Sequence, residues 1–125
     1  MATDRSDLLG RASIHEGAHA VAALCFELPL LEVVIRDDGS GKTSYCRHFG
    51  VAEARSWVIT TFAGGEAEFD LFGGHRGDGS DLLAIDNMLD RLHLTWTDDK
   101  LADLRHEARR LVERERHESG WWRMY

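Results

Sequence analysis

The sequence predicts a single, mainly helical α+β domain, and three observations lead to this prediction. Four segments repeat apolar residues at the spacing of an amphipathic helix. Two short segments, LLEVVIR and KTSYCRHF, enclose a turn rich in Asp, Gly and Ser, which is typical of a β-hairpin. No internal repeat and no Ser/Gly-rich linker divides the 125 residues. We therefore expect one helix, a β-hairpin, and then three further helices.

The first predicted helix covers residues 4–28 and precedes the hairpin. Thr3 or Asp4 can cap its start, and Pro29, the only proline in the chain, marks its end. The hairpin follows directly. Its β-branched residues lie in the first strand, and its loop is longer than two residues.

Three more helices are predicted after the hairpin. The first covers residues 51–71 and is followed by a loop over residues 72–80 that contains four glycines. The next begins at Ser80 or Asp81. The last runs from Thr97 or Asp98 to about Glu118. The final segment, WWRMY, is unexpectedly aromatic, so we expect it to fold back onto the body or to contact another chain.

Composition limits the classes of function. Hydrophobic residues make up 43% of the chain, enough for a real core. Fifteen basic against 22 acidic residues give a net charge of -7, which argues against a nucleic-acid binder. The sequence has no secretory signal and no apolar stretch long enough to span a membrane, so we expect a cytoplasmic protein. We interpret Cys25 and Cys46 as buried free thiols.

The segment most informative about chemistry is HEGAH at residues 15–19, an HExxH pattern on the first predicted helix. Residues four apart lie one turn apart on the same helix face, so the imidazoles of His15 and His19 can bind one metal ion. Glu16 lies where a carboxylate can deprotonate a metal-polarised water molecule. The alternative is an amphipathic helix whose two histidines merely lie at the edge of the core. The apolar residues around the motif favour the zinc site.

A catalytic zinc normally takes three protein ligands plus water, so a third ligand is needed. Spacing alone does not choose among seven acidic and histidine candidates. They are His48, His75, His93, Asp78, Asp81, Asp86 and Glu68.

Three blocks of the sequence resemble the peptidase domain of the FtsH family of ATP-dependent zinc proteases. Residues 15–21 (HEGAHAV) resemble the family's zinc-binding motif, and residues 59–68 (ITTFAGGEAE) resemble its Leu-Gly-Gly-Arg-Ala-Ala-Glu helix. Residues 72–82 (FGGHRGDGSDL) resemble the segment that carries the family's third zinc ligand. The likeness covers about residues 8–95, and residues 97–125 would add a C-terminal helix and the aromatic tail.

The resemblance implies both a ligand set and a function. It assigns Asp81 as the third zinc ligand beside His15 and His19, with Glu16 as the catalytic base. It also implies that the β-hairpin lies beside the active cleft. It implies a zinc-dependent metallopeptidase, a metalloendopeptidase that hydrolyses peptides or unfolded proteins. It also implies self-association or cooperation with a separate unfoldase. The alternative is an inactive metal-binding interaction module with a peptidase-like fold.

The chain departs from the family pattern at several positions. Gly17 and Ala18 reverse the usual order inside the motif, and Glu66 replaces a usual arginine. The family's AAA+ ATPase module and membrane anchor have no counterpart in these residues, so we expect peptides or disordered segments as substrates. GSGKT at residues 39–43 resembles a nucleotide-binding loop. However, Arg36 stands where that motif requires its first glycine, and a strand follows instead of a helix, so we reject nucleotide binding.

Overall fold

The computed structural model describes residues 5–45, 50–74 and 79–118, with side chains in the first helix from Leu9 onward. The architecture is mainly helical, as predicted, with 72% of the described residues in helices. In chain order the elements are α1 (Arg5–Cys25), β1 (Leu30–Ile35), β2 (Gly41–Tyr45), α2 (Val51–Phe72), α3 (Gly79–Arg91) and α4 (Asp98–Glu118). No helix in the described ranges combines the length and the apolar character needed to cross a membrane.

Helix α1 ends three residues earlier than predicted, because Glu27 adopts a left-handed backbone conformation with φ of 58°. The amide of Leu28 donates to the carbonyl of Ala23, and the amide of Glu27 donates to that of Leu24. This pair of bonds is a Schellman motif, which satisfies the last carbonyls of the helix before Pro29. The chain therefore turns directly into the hairpin.

Strands β1 and β2 pair antiparallel, with Val33 opposite Thr43 and Ile35 opposite Gly41. A register shift occurs between Leu30 and Glu32. The predicted second strand extended to residue 49, but β2 ends at Tyr45, and residues 46–49 lie outside the described part of the chain.

Helix α2 is the central element, and two apolar clusters lie on its sides. One cluster joins α2 to α3 and α4 and includes Val58, Phe62, Met88 and Leu104. The other joins α2 to α1 and α4 and consists mainly of small side chains. Its members are Ile14, Ala18, Ala22, Ala63, Ala67, Leu111 and Val112. Small residues allow the α1 and α2 backbones to approach closely, and this approach brings the HExxH face of α1 against α2.

The predicted helix starts agree with the structure to within two residues. Helix α3 begins at Gly79, and Thr97 caps α4 by accepting a hydrogen bond from the Lys100 amide at 3.1 Å.

The predicted burial of Cys25 is wrong. Its side chain lies exposed in the last turn of α1, where its thiol contacts Glu115 of α4 at 3.4 Å. Cys46 and the WWRMY segment lie outside the described residues.

Candidate metal centre

The two histidines of the HExxH segment lie on one face of α1, in the interface with α2. His15 is 4% exposed and His19 is 3% exposed. Their ring centroids are 4.8 Å apart, with one ring edge facing the other. The one-turn spacing therefore produces the paired imidazoles that the sequence predicts.

Gly64 of α2 faces the space between these two rings. A β-carbon at position 64 would lie 2.5 Å from Nε2 of His19 and 2.7 Å from Nε2 of His15. Real β-carbons essentially never approach heavy atoms so closely. The absence of a side chain at Gly64 thus leaves room beside both Nε2 atoms.

Asp81 completes the cluster from the first turn of α3. Its Oδ2 atom lies 2.9 Å from Nε2 of His15 and 3.3 Å from Nε2 of His19. The potential ligand atoms of the three residues all lie within 4.8 Å of one another. Helix α3 is anchored through Ile85, Met88 and Leu89, which are buried against α2. That anchoring places the start of α3 above the histidine pair.

The other nitrogen of each histidine has a partner that faces away from the cluster. Nδ1 of His15 lies 2.5 Å from Oε1 of Glu68, and Nδ1 of His19 lies 2.9 Å from the Thr60 carbonyl oxygen. A carbonyl oxygen only accepts, so Nδ1 of His19 carries the proton and its Nε2 is the nitrogen available to a cation. Histidines that ligate metals usually have such an outer partner, which fixes the ring orientation.

The charges around His15 favour a positive charge at this place. Burial alone would lower the pKa of His15, but its hydrogen bonds to Asp81 and Glu68 outweigh burial and raise the pKa to about 10. Burial would raise the pKa of Asp81, whereas hydrogen bonds from His15 and His19 lower it to about 2. One buried carboxylate, that of Glu68, and one half-buried carboxylate, that of Asp81, therefore face the His15 imidazole, and a proton or a metal cation can balance them.

Glu16 lies beside this cluster and contacts the hairpin. It is 7% exposed, and its Oε1 atom accepts a hydrogen bond of 2.6 Å from the hydroxyl of Thr43 on β2. Glu16, the histidine pair and Asp81 all line one cleft of about 610 Å³, and residues 38–43 form another wall of it. The hairpin therefore lies beside the cleft, as the resemblance to FtsH peptidases implies.

Sequence reasoning missed several residues at this site. Tyr45 lines the cleft, and its hydroxyl lies 2.6 Å from Oγ1 of Thr61. Because Thr61 donates its own proton to the Trp57 carbonyl at 2.8 Å, Tyr45 is the donor to Thr61. Burial raises the pKa of Tyr45, so its hydroxyl remains neutral. Arg11 pairs with Glu68 at 3.4 Å and also donates to the Gly74 carbonyl.

The glycine pair at positions 64–65 was the one sequence signal for the role of Gly64. No sequence signal pointed to Arg11, Thr43 or Tyr45, whose roles depend on contacts between elements.

The remaining candidates for the third ligand lie elsewhere. Glu68 contacts the outer nitrogen of His15, and Asp86 and His93 are exposed. His48, His75 and Asp78 lie outside the described residues. Within the described ranges, His15, His19 and Asp81 form a group that could hold a metal ion, and its donors are not specific to zinc.

Comparison of this chain with protein-family models, curated proteins and solved structures found no match. The function of the His15, His19 and Asp81 cluster is therefore inferred from the geometry and chemistry of these residues.

Proposed function

We propose that this chain is a zinc-dependent metallopeptidase that hydrolyses peptide bonds in peptides or unfolded proteins, and that it is related to the peptidase domain of the FtsH family. The observation that supports this proposal most is the convergence of Asp81 on the paired histidines, with Glu16 beside them. A ligand from a separate helix, far away in sequence, is what an HExxH pair needs to become a three-ligand site.

The residues present fit a zinc ion in three respects. Two imidazoles and one carboxylate are a common donor set of catalytic zinc. The missing side chain at Gly64 keeps the space beside both Nε2 atoms clear. Glu68 and the Thr60 carbonyl orient the two rings from behind. His15, His19 and Asp81 would hold the zinc ion, and the ion would supply a Lewis acid for a substrate carbonyl and for water.

Glu16 acts as the general base in this proposal. It takes a proton from the attacking water on its carboxylate and passes that proton to the amine that leaves. Its position supports this role, because it lies in the same cleft as the three ligand side chains. Tyr45 contributes a neutral wall to the cleft.

The hairpin supports peptides as the substrate class. Strand β2 lines the cleft and pairs with β1 along one edge, and within the described residues no other strand pairs with it. An extended peptide can add to such an edge through main-chain hydrogen bonds. The cleft volume of about 610 Å³ is within the range of small-ligand pockets. It suits a short extended segment, which is why we propose peptides and unfolded chains.

The test is chelator-sensitive proteolysis. Purified zinc-loaded protein is incubated with unfolded casein, with and without a chelator, and zinc is then restored. We expect cleavage that stops on chelation and returns with zinc. Glu16→Gln should abolish turnover but retain zinc, because it removes the base and leaves the ligands. Glu118→Gln, an exposed change on α4, is the matched control. Wild-type rates in Glu16→Gln would contradict the role of Glu16.

A second candidate function is an inactive metal-binding interaction module. Exposed apolar side chains on β1 favour it, because Leu31, Val33 and Ile35 are 47%, 44% and 37% exposed. The same assay separates the two candidates. Stoichiometric zinc binding without any chelator-sensitive cleavage would favour the interaction module.

A further inference from the structure

Strand β2 contacts Glu16 of the HExxH segment through Gly41 and Thr43. Residues two apart in a strand point to the same face of the sheet. Both of these residues meet the side chain of Glu16. We propose that β2 positions Glu16, with Thr43 and Gly41 as the positioning residues. This inference rests on the proposed function, in which Glu16 is the general base.

Thr43 holds one carboxylate oxygen of Glu16. Its Oγ1 lies 2.6 Å from Oε1 of Glu16 and 3.2 Å from the Glu16 backbone carbonyl oxygen. A threonine hydroxyl has a single proton, and the shorter contact identifies the carboxylate as its acceptor. A separation of 2.6 Å is typical of a hydroxyl that donates to a charged carboxylate. Such bonds are stronger than neutral ones and restrict the direction in which the carboxylate points.

Gly41 provides the surface against which the rest of the Glu16 side chain lies. A β-carbon at position 41 would be 2.7 Å from Cγ and 2.9 Å from Oε2 of Glu16. It would also lie 2.9 Å from the backbone oxygen of Val34, which cannot easily retreat because β1 pairs with β2. The requirement for glycine here is therefore steric. Any larger residue would displace Glu16 from its place between the strand and α1.

These contacts give a role to a motif that the sequence left unexplained. The GSGKT segment resembles a nucleotide-binding loop, but its last glycine and its threonine face Glu16 across the cleft wall. A general base must lie within hydrogen-bond reach of the proton that it takes. A misplacement of about 1 Å can reduce an enzymatic rate by about 100-fold. A long, flexible glutamate side chain therefore benefits from a partner that fixes it.

The test compares four variants of the full-length zinc-loaded protein on a fluorogenic peptide substrate. Thr43→Val removes the hydroxyl and keeps the shape. Thr43→Ser keeps the hydroxyl, and Gly41→Ala adds the β-carbon. Glu118→Gln, an exposed change on α4 away from the cleft, serves as the control. For each protein, kcat, KM and zinc affinity are measured, and crystal structures give the orientation of Glu16.

We expect Thr43→Val and Gly41→Ala to lower kcat by about 10- to 100-fold. KM and zinc affinity should stay within about twofold of the wild-type values, because substrate and metal contacts remain. Thr43→Ser should recover kcat to within about threefold, since its hydroxyl can again donate to Glu16. In the Thr43→Val crystals the Glu16 carboxylate should have turned away from β2. A loss of stability alone would not produce this combination of rescue and selective effect on kcat.

Two results would overturn the inference: a wild-type kcat in Thr43→Val, or an unmoved Glu16 side chain in its crystals. Failure of the proposed function would be a different result. In that case the wild-type protein and Thr43→Ser would both leave the peptide intact. The crystal structures would then decide by themselves whether Thr43 fixes Glu16.

Discussion

Replacing Gly64 with alanine should strongly weaken zinc binding while leaving α2, the helix that carries Gly64, intact. Alanine is a better helix former than glycine by about 1 kcal/mol, so α2 itself should gain stability from the change. The added β-carbon, however, would lie 2.5 Å from Nε2 of His19 and 2.7 Å from Nε2 of His15. Gly64→Ala should therefore stabilise α2 and at the same time weaken metal binding.

The displacement required is large for a metal site. Ordinary van der Waals contact begins at 3.4 Å, so the rings would have to retreat by about 0.7–0.9 Å. Zinc–nitrogen bonds are about 2.0–2.1 Å long and tolerate deviations of only about 0.2 Å. At least one imidazole would thus leave bonding range. We expect zinc affinity to fall by at least about 100-fold, the upper end of the effect of losing an outer-shell partner.

The assay is competition for zinc against a chromophoric chelator, together with thermal unfolding of the metal-free protein. Gly79→Ala is the matched control, because a β-carbon there has no neighbour within 4 Å. Its zinc affinity should remain that of the wild type. Wild-type affinity in Gly64→Ala, with an intact fold, would refute the assignment of the two Nε2 atoms as ligands.

Two further predictions concern the surroundings of the site and a distant thiol. Glu68→Gln should weaken zinc binding by about 10- to 100-fold in the same competition assay, because Glu68 orients His15 through Nδ1; an affinity equal to that of Glu118→Gln would count against this role. Although Cys25 is exposed, partial desolvation of its thiol against α4 and the neighbouring Glu115 raise the pKa of the thiol. In a Cys46→Ser background, iodoacetamide at pH 8 should therefore alkylate Cys25 more slowly in the folded than in the unfolded protein. Glu115→Gln should speed alkylation of the folded protein, and an unchanged rate would contradict the effect of Glu115.

The secondary structure was largely predictable because helical periodicity, turn residues and caps are local signals. The four helices and the hairpin all lie close to their predicted positions. The end of α1 was less predictable, since Glu27 adopts a left-handed conformation that non-glycine residues seldom take. Cys25 lies on the apolar stripe of α1, which predicts a buried side chain. The last turn of α1 extends beyond the packed core, so Cys25 is exposed.

The site was predictable only in part, for a physical reason. His15 and His19 share a helix face through their spacing alone, whereas Asp81 reaches them only because α3 packs against α2. Spacing left seven candidates for the third metal ligand, and only the resemblance to FtsH peptidases selected Asp81 among them. The roles of Thr43 and Gly64 depend on contacts between elements far apart in sequence, which no local pattern encodes.

The most direct test of the central claim is anomalous diffraction at the zinc edge from crystals grown with zinc. We predict one strong peak, bonded to Nε2 of His15, Nε2 of His19 and the Asp81 carboxylate at about 2.0–2.2 Å. A peak elsewhere, or an Asp81 carboxylate well beyond bonding distance from a metal on the two histidines, would contradict the account.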